Sequence, residues 1–156
     1  MQEKLPQRKQ IRLKEYDYSE EGYYFITICT KNRMKILGEI KYKDEYYQPT
    51  IQLTKEGIII DKYLKRMHLN YENVILDEYT IMPNHIHMII RLNKKENLTI
   101  SRIIKQYKMI VSKEIRKSIW QKSFYEHIIR NEKEYYLIKK YIMDNVGNWY
   151  YDKYYN

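Results

Sequence analysis

The segment NVILDEYTIMPNHIHMIIRL, residues 73–92, restricts the fold more than any other part of the chain. Two runs rich in β-branched and apolar residues meet at Pro83 and Asn84, a pair suited to a tight turn, so 73–82 and 85–92 read as a hairpin. The second run, HIHMIIRL, is too apolar for a wholly exposed edge strand, which places it in a sheet covered by other elements.

The rest of the chain supplies that cover. YYFITIC (Tyr23 to Cys29), bounded by Gly22 and by TKNR, reads as a strand, and ILGEIK (36–41) and YYQPTIQL (46–53) add short ones. From Thr54, the spacing of Ile59, Ile60, Tyr63, Leu64 and Met67 predicts a helix ending near Asn70. In TISRIIKQYKMIVSKEIRKS, Ile100, Ile103, Ile104, Tyr107, Ile110, Val111 and Ile115 recur at helical spacing and leave the basic residues on other faces. SFYEHIIR (123–130) is a further strand. Asn131 then opens an N-x-x-E capping box with Glu134, starting a last helix that runs through Tyr141 to about Asn145, with Gly147 suiting its end. The order strand, helix, strand, strand, helix, strand, helix is an α+β pattern. It predicts a mostly antiparallel, ferredoxin-like (RRM-like) sheet with helices packed on it, in one domain spanning 1–156. The Tyr-rich tail WYYDKYYN reads as prone to fraying.

The charge is unevenly placed. Lys and Arg number 29 against 20 Asp and Glu, a formal +9, and residues 91–122 alone hold ten basic groups against Glu96 and Glu114. A single basic helix face is ordinary solvated surface as often as not, but this concentration favours a track for a phosphate backbone. Lys105 and Lys108 are its best contact candidates. Trp120 is a candidate stacking platform or a core anchor. No run approaches the roughly 20 apolar residues of a membrane span, and MQEKLPQRKQ lacks the apolar centre of a secretory signal, so a cytoplasmic protein with no membrane partner is expected. The lone Cys29 reads as a buried thiol, which excludes disulfide and Cys-zinc architectures.

Chemistry concentrates in a few residues. His85 and His87 flank Ile86, and strand side chains alternate, so both imidazoles share one face and can chelate a divalent ion. Without context such a pair is more often two polar residues on a solvated face. Tyr141 and Asn145 lie four apart on one face of the last helix, while Tyr135, Ile138 and Ile142 face the sheet. Taken alone, any of the nineteen tyrosines is more often a core or rim residue, and it is the place on the last helix, one turn before Asn145, that sets Tyr141 apart. Gln121, His127 and Arg130 are candidates for phosphate or base contacts, with structural hydrogen bonds as the competing role.

MPNHIHMII, the basic helix, WQKSFYEHIIRNEKEYYLIKKYIMDN and the early RLKEYDYSEEGYYFITICTKNR together resemble the single-tyrosine HUH transposases, most closely the REP-associated tyrosine transposases, from about Arg8 to Trp149. The resemblance implies an enzyme that cuts and rejoins single-stranded DNA, often beside a hairpin, through a covalent 5′-phosphotyrosine. It matches His85 and His87 to the metal-holding histidines, Tyr141 to the nucleophile and Asn145 to the polar residue completing the metal site. It also implies magnesium or manganese, since imidazoles alone suit zinc, nickel or iron equally. Relatives often read Asn-Pro where this chain has Asn145-Val146. Two other readings compete: a noncatalytic module that binds single-stranded nucleic acid, and a phosphodiesterase using activated water. Relatives include monomers and dimers that share a tyrosine between subunits, so a homodimer stays open.

Overall fold

The structure, a computed structural model, describes residues 22–43, 48–93, 99–152 and 154–155. The start of the resemblance up to residue 21, the beginning of the 46–53 run, and Lys94, Lys95 and Glu96 lie outside the described residues.

The hairpin read from 73–92 forms half of the four-stranded sheet, with its second strand inside and its first at the edge. Strand β4 (Val74–Met82) pairs with β5 (His85–Leu92), β5 pairs with β1 (Gly22–Cys29), and β1 pairs with β6 (Tyr125–Ile129), all antiparallel. The order β4-β5-β1-β6 places β1 and β5 inside. Both are buried on both faces over most of their length, and their sequences run apolar without alternation, as interior strands do. With helices α1 (Lys55–Lys65) and α3 (Ile100–Ile115) joining β1 to β4 and β5 to β6, this is the ferredoxin-like arrangement of two interleaved βαβ units.

The two faces carry separate cores. Tyr24, Ile26, Ile28, Ile86, Met88 and Ile90 point to the face covered by α1 and α3, where Ile60, Leu64, Ile103, Ile104 and Val111 meet them. Phe25, Ile89, Tyr125 and Ile129 point the other way, against Ile138 and Ile142 of α4 (Glu132–Asp144). His85 and His87 have odd positions in β5 and therefore face α4. A bulge at Asp77 in β4 turns its carboxylate out to accept from the Tyr135 hydroxyl at 2.6 Å, which ties the start of α4 to the sheet.

Local signals set the helix starts. Thr54, Thr99 and Asn131 cap α1, α3 and α4 through bonds from the amides of Gly57, Arg102 and Glu134, each worth about 1 kcal/mol. The capping box at Asn131 is only half made. Glu134 turns its carboxylate away from Asn131, to His127 Nε2 and toward the Arg130 amide. The other corrections concern register and continuity. The 36–41 and 46–53 strands shrink to β2 (Gly38–Lys41) and β3 (Thr50–Leu53), which pair with each other as a separate ribbon. The helix predicted from Thr54 breaks at Arg66 before a one-turn α2 (Met67–Asn70). Cys29 is buried, as its run predicted. Among the described residues no helix is long and apolar enough to cross a membrane.

The loop after β1 is sewn to the hairpin turn. Thr30 donates its amide to the Asn84 carbonyl at 3.0 Å and Leu37 donates to that of Pro83 at 2.9 Å, while the Leu37 carbonyl accepts from Thr54. Gly57, in the first turn of α1, lies against that same carbonyl, and a Cβ there would be driven into its oxygen. Alanine gains about 1 kcal/mol of helix propensity but meets rigid backbone, where overpacking costs about 1–3 kcal/mol. Gly57→Ala is therefore expected to lower Tm by roughly 2–8 °C in scanning calorimetry. A Tm equal to or above wild type would show that the 30–37 loop yields.

Candidate active site

Strand register builds the first half of the site. His87 lies opposite Thr27 on β1, and Thr27 Oγ1 meets His87 Nδ1 at 2.7 Å. His85 is held from the turn. Asn84 points its Nδ2 at two acceptors, the carbonyls of Tyr154 at 2.5 Å and Arg33 at 3.4 Å, so its Oδ1 is turned to His85 Nδ1 at 2.7 Å. An amide oxygen can only accept, so the His85 proton sits on Nδ1 and the lone pair on Nε2, the form in which imidazole binds a cation. Both histidines are fully buried, with ring centroids 4.5 Å apart.

Helix α4 brings in the second half. Its packed face puts Tyr141 over the pair, 5.2 Å from the His87 ring and edge-on to Phe25 at 6.4 Å. Asn145, the residue that ends α4, is buried one turn further on. The sequence-predicted set His85, His87, Tyr141 and Asn145 thus meets in one place, drawn from β5 and α4.

The tail supplies a residue that sequence reasoning missed. A short turn at Trp149–Tyr151 carries Asp152 back to the histidines, where Asp152 Oδ2 lies 3.6 Å from His85 Nε2 and accepts from Asn145 Nδ2 at 3.1 Å. Tyr154 follows it, its ring 4.4 Å from His85 and 5.9 Å from His87. The fraying expected for WYYDKYYN is corrected over its described part. Trp149 and Tyr154 are buried because their rings pack on His85 and the Tyr154 amide donates to Asp152, while Tyr150 and Tyr151 stay exposed. Asp152 belongs to no helical or strand period, so no local pattern singles it out.

The electrostatics of the cluster follow from burial. The Tyr141 phenol is held above the ordinary tyrosine range, first by burial, then by the negative charge of Asp152 and by Tyr154, against a smaller opposing effect from a hydrogen bond with Asn145. The phenol therefore stays protonated until positive charge arrives. The residues fit such a charge. His85, His87 and Asp152 each offer an atom that could bind a metal ion within 4.8 Å of the others, and among the described residues the buried Asn145 Oδ1 beside them has no hydrogen-bond partner.

The remaining sequence candidates lie elsewhere. Lys105, Lys108 and Gln121 gather with Trp120 in a groove beside α3, on the opposite face of the sheet. Burial lowers the Lys108 pKa below the usual lysine value. Trp120 is a core residue that also lines this groove, packed 6.5 Å from Tyr107. His127 is tied to Glu134, and Arg130 sits exposed past the end of β6, so both stand at the entrance to α4 rather than in the groove or the histidine cluster.

Residues 18–145 match the family model of IS200-like transposases. An uncharacterized protein of Haemophilus influenzae is 34% identical over 95% of this chain and 93% of its own length. A putative REP-associated tyrosine transposase of the same organism is 26% identical over 76% of this chain and 66% of its own. The REP-associated tyrosine transposase of Escherichia coli K12 is 28% identical over 76% and 62%. The chain thus spans about two thirds of the length of these two named relatives. Among solved structures, a REP-associated tyrosine transposase bound to a REP hairpin shares the fold with TM-score 0.63 and 21% identity, over 86% of this chain and 72% of that one. A transposase-like protein of Deinococcus radiodurans R1 shares it with TM-score 0.51 and 15% identity, over 86% and 97%.

The cluster makes a prediction independent of any reaction. Manganese titrated calorimetrically into the protein is expected to fill a single site. His87→Ala or Asp152→Ala should weaken binding at least as much as loss of a residue that only orients a ligand, and Asn84→Ala by about 10–100-fold. Asp144→Ala, outside the cluster, should leave it unchanged. Wild-type affinity in Asp152→Ala would remove the tail from the site.

Proposed function

The chain belongs to the IS200-like transposase family, and on that premise we propose that it nicks and rejoins single-stranded DNA beside a hairpin, with Tyr141 as nucleophile. The observation that carries this reading is the convergence of Tyr141 on the buried histidine pair within one chain. A binding module has no use for a phenol placed there, and the short reach favours action in cis, with no second subunit.

His85, His87 and Asp152, with Asn145 Oδ1 beside them, would hold a divalent cation, magnesium or manganese, which supplies a Lewis acid for the scissile phosphate and offsets the charge of Asp152. Asn84 and Thr27 keep the imidazoles aimed. Phe25 and His87 pack against the Tyr141 ring, which is partly buried between them. In the step itself, Tyr141 Oη loses its proton and forms a bond to phosphorus as the P–O3′ bond breaks. The departing 3′-oxygen takes up a proton, so atoms and charge balance without ATP. The phosphotyrosine retains the energy of the broken ester, and a 3′-hydroxyl of another strand can reverse the attack. The basic groove on α3 gives the DNA a second contact and a salt-dependent affinity. The same reading places the protein in the cytoplasm, with DNA as its partner.

Incubation with single-stranded hairpin DNA and manganese, followed by denaturing electrophoresis, tests the chemistry. A covalent protein–DNA band is expected for wild type and absent from Tyr141→Phe. Cleavage without a band would assign the chemistry to activated water, and binding without cleavage would leave a noncatalytic module. Lys105→Ala should lower the slope of log affinity against log salt by about 0.7, the value for one phosphate contact on a single strand.

A further inference from the structure

Among the described residues, three other than glycine have a left-handed backbone: Asn32 at φ 55°, Arg33 at φ 55° and Arg116 at φ 66°. Arg116 has a structural reason, since it closes the end of α3 and its amide donates back to the Ser112 carbonyl. Asparagine tolerates the region because its short polar side chain bonds locally. Arg33 has neither reason. Its turn is closed by backbone bonds alone, from the Arg33 amide to Thr30 at 3.1 Å and from the Met34 amide to Lys31 at 3.2 Å. Glycine would make the same bonds without strain, so stability by itself would place glycine at 33.

This strained turn is fixed to the histidine cluster. Asn84 points Nδ2 toward the Arg33 carbonyl and Oδ1 toward His85 Nδ1, so one side chain places both residues. The Arg33 guanidinium lies 5.6 Å from the centre of the Tyr154 ring, which is itself 4.4 Å from the His85 ring. Lys31 and Lys35 flank it in sequence, and all three cations are exposed. Lys35 lies over the Tyr155 ring at 4.5 Å. The stretch KNRMK thereby gives a cationic rim to a cluster built of imidazole and carboxylate.

We propose that Arg33 binds the scissile phosphate of the DNA strand, with Lys35 on the phosphate next to it. A phosphodiester spreads one negative charge over two non-bridging oxygens, and that charge grows as Tyr141 Oη attacks in the proposed reaction. A guanidinium presents a planar fork that matches two such oxygens, and with five N–H donors it can keep a protein partner while it does so. The strain in its backbone is then the cost of aiming that fork at the cluster, which a glycine could not do. This inference rests on the single-strand DNA reading and names a residue that holds the substrate. No period marks it, because TKNR reads in sequence only as the end of a strand.

The test pairs stability with phosphate binding in the full-length protein. Arg33→Gly is expected to keep or raise Tm in scanning calorimetry, because the turn relaxes. The probe for binding is dimethyl phosphate, a diester with neither base nor sugar, titrated into manganese-loaded protein and read by phosphorus-31 relaxation. Arg33→Gly should raise the concentration for half-maximal relaxation about tenfold. Arg33→Lys keeps the charge and the strain but loses the fork, and should fall between. Arg116→Gly relieves the same kind of strain outside the cluster and should leave the titration unchanged. A lower Tm in Arg33→Gly would make Arg33 a structural support for Tyr154 and overturn the proposal. An unchanged titration in Arg33→Gly, or no relaxation in wild type, would overturn it as well. In the covalent-adduct assay, Arg33→Gly should slow the band by about 10²–10³-fold. An adduct formed at the wild-type rate in Arg33→Gly sinks this inference alone, whereas an Arg33-dependent titration with no adduct sinks only the chemistry.

Discussion

Pairing of β1 with β5, in a register that sets Thr27 against His87 and Cys29 against His85, is the contact on which the rest of the molecule depends. It buries both central strands on both faces, so each face must be covered, and the cover differs in kind. One side takes the two crossover helices and becomes the larger core. The other takes α4 alone, leaving room for two imidazoles, a phenol and the returning tail. A slip of one residue would put His85 and His87 under α3, against Ile103 and Ile104, where the imidazoles would meet only hydrocarbon.

Burying two histidines beside a carboxylate is costly unless each ring is oriented and matched. The ties at Nδ1 do this from within the fold, through a threonine on the neighbouring strand and an asparagine in the turn. Asn84 is the more connected of the two. It joins the hairpin turn, the loop after β1 and the tail through Thr30, Arg33 and Tyr154, so the geometry of His85 is set by three segments far apart in sequence. Partial burial and the charge of Asp152 hold the Tyr141 phenol protonated, so as the proposed nucleophile it would need the positive charge of a cation.

The two candidate surfaces lie on opposite faces of one sheet. Acidic and imidazole groups collect under α4, whereas Lys105, Lys108 and Lys122 collect beside α3. Separation keeps the lysines from neutralising Asp152, and in the proposed reaction it would hold a strand of DNA at a distance from the reacting atoms. It also accounts for His127 and Arg130 joining neither group. They sit where β6 turns into α4, and Glu134 serves both.

Much of this was legible locally. Parity along HIHMIIRL put both histidines on one face, a Pro-Asn turn fixed the hairpin, helical spacing placed Tyr141 one turn before Asn145, and Thr or Asn stood at the start of each long helix. These follow from periods of two and 3.6 residues and from terminal amides in need of acceptors, all properties of a few adjacent residues. What tertiary structure decided has no period. The hairpin does not state that its second strand lies beside β1, the capping motif at Asn131 does not state that Glu134 prefers His127, and no spacing marks Asp152 as the carboxylate that reaches His85. Each depends on which surfaces are left uncovered once the sheet and helices have packed, and that is a property of the whole chain.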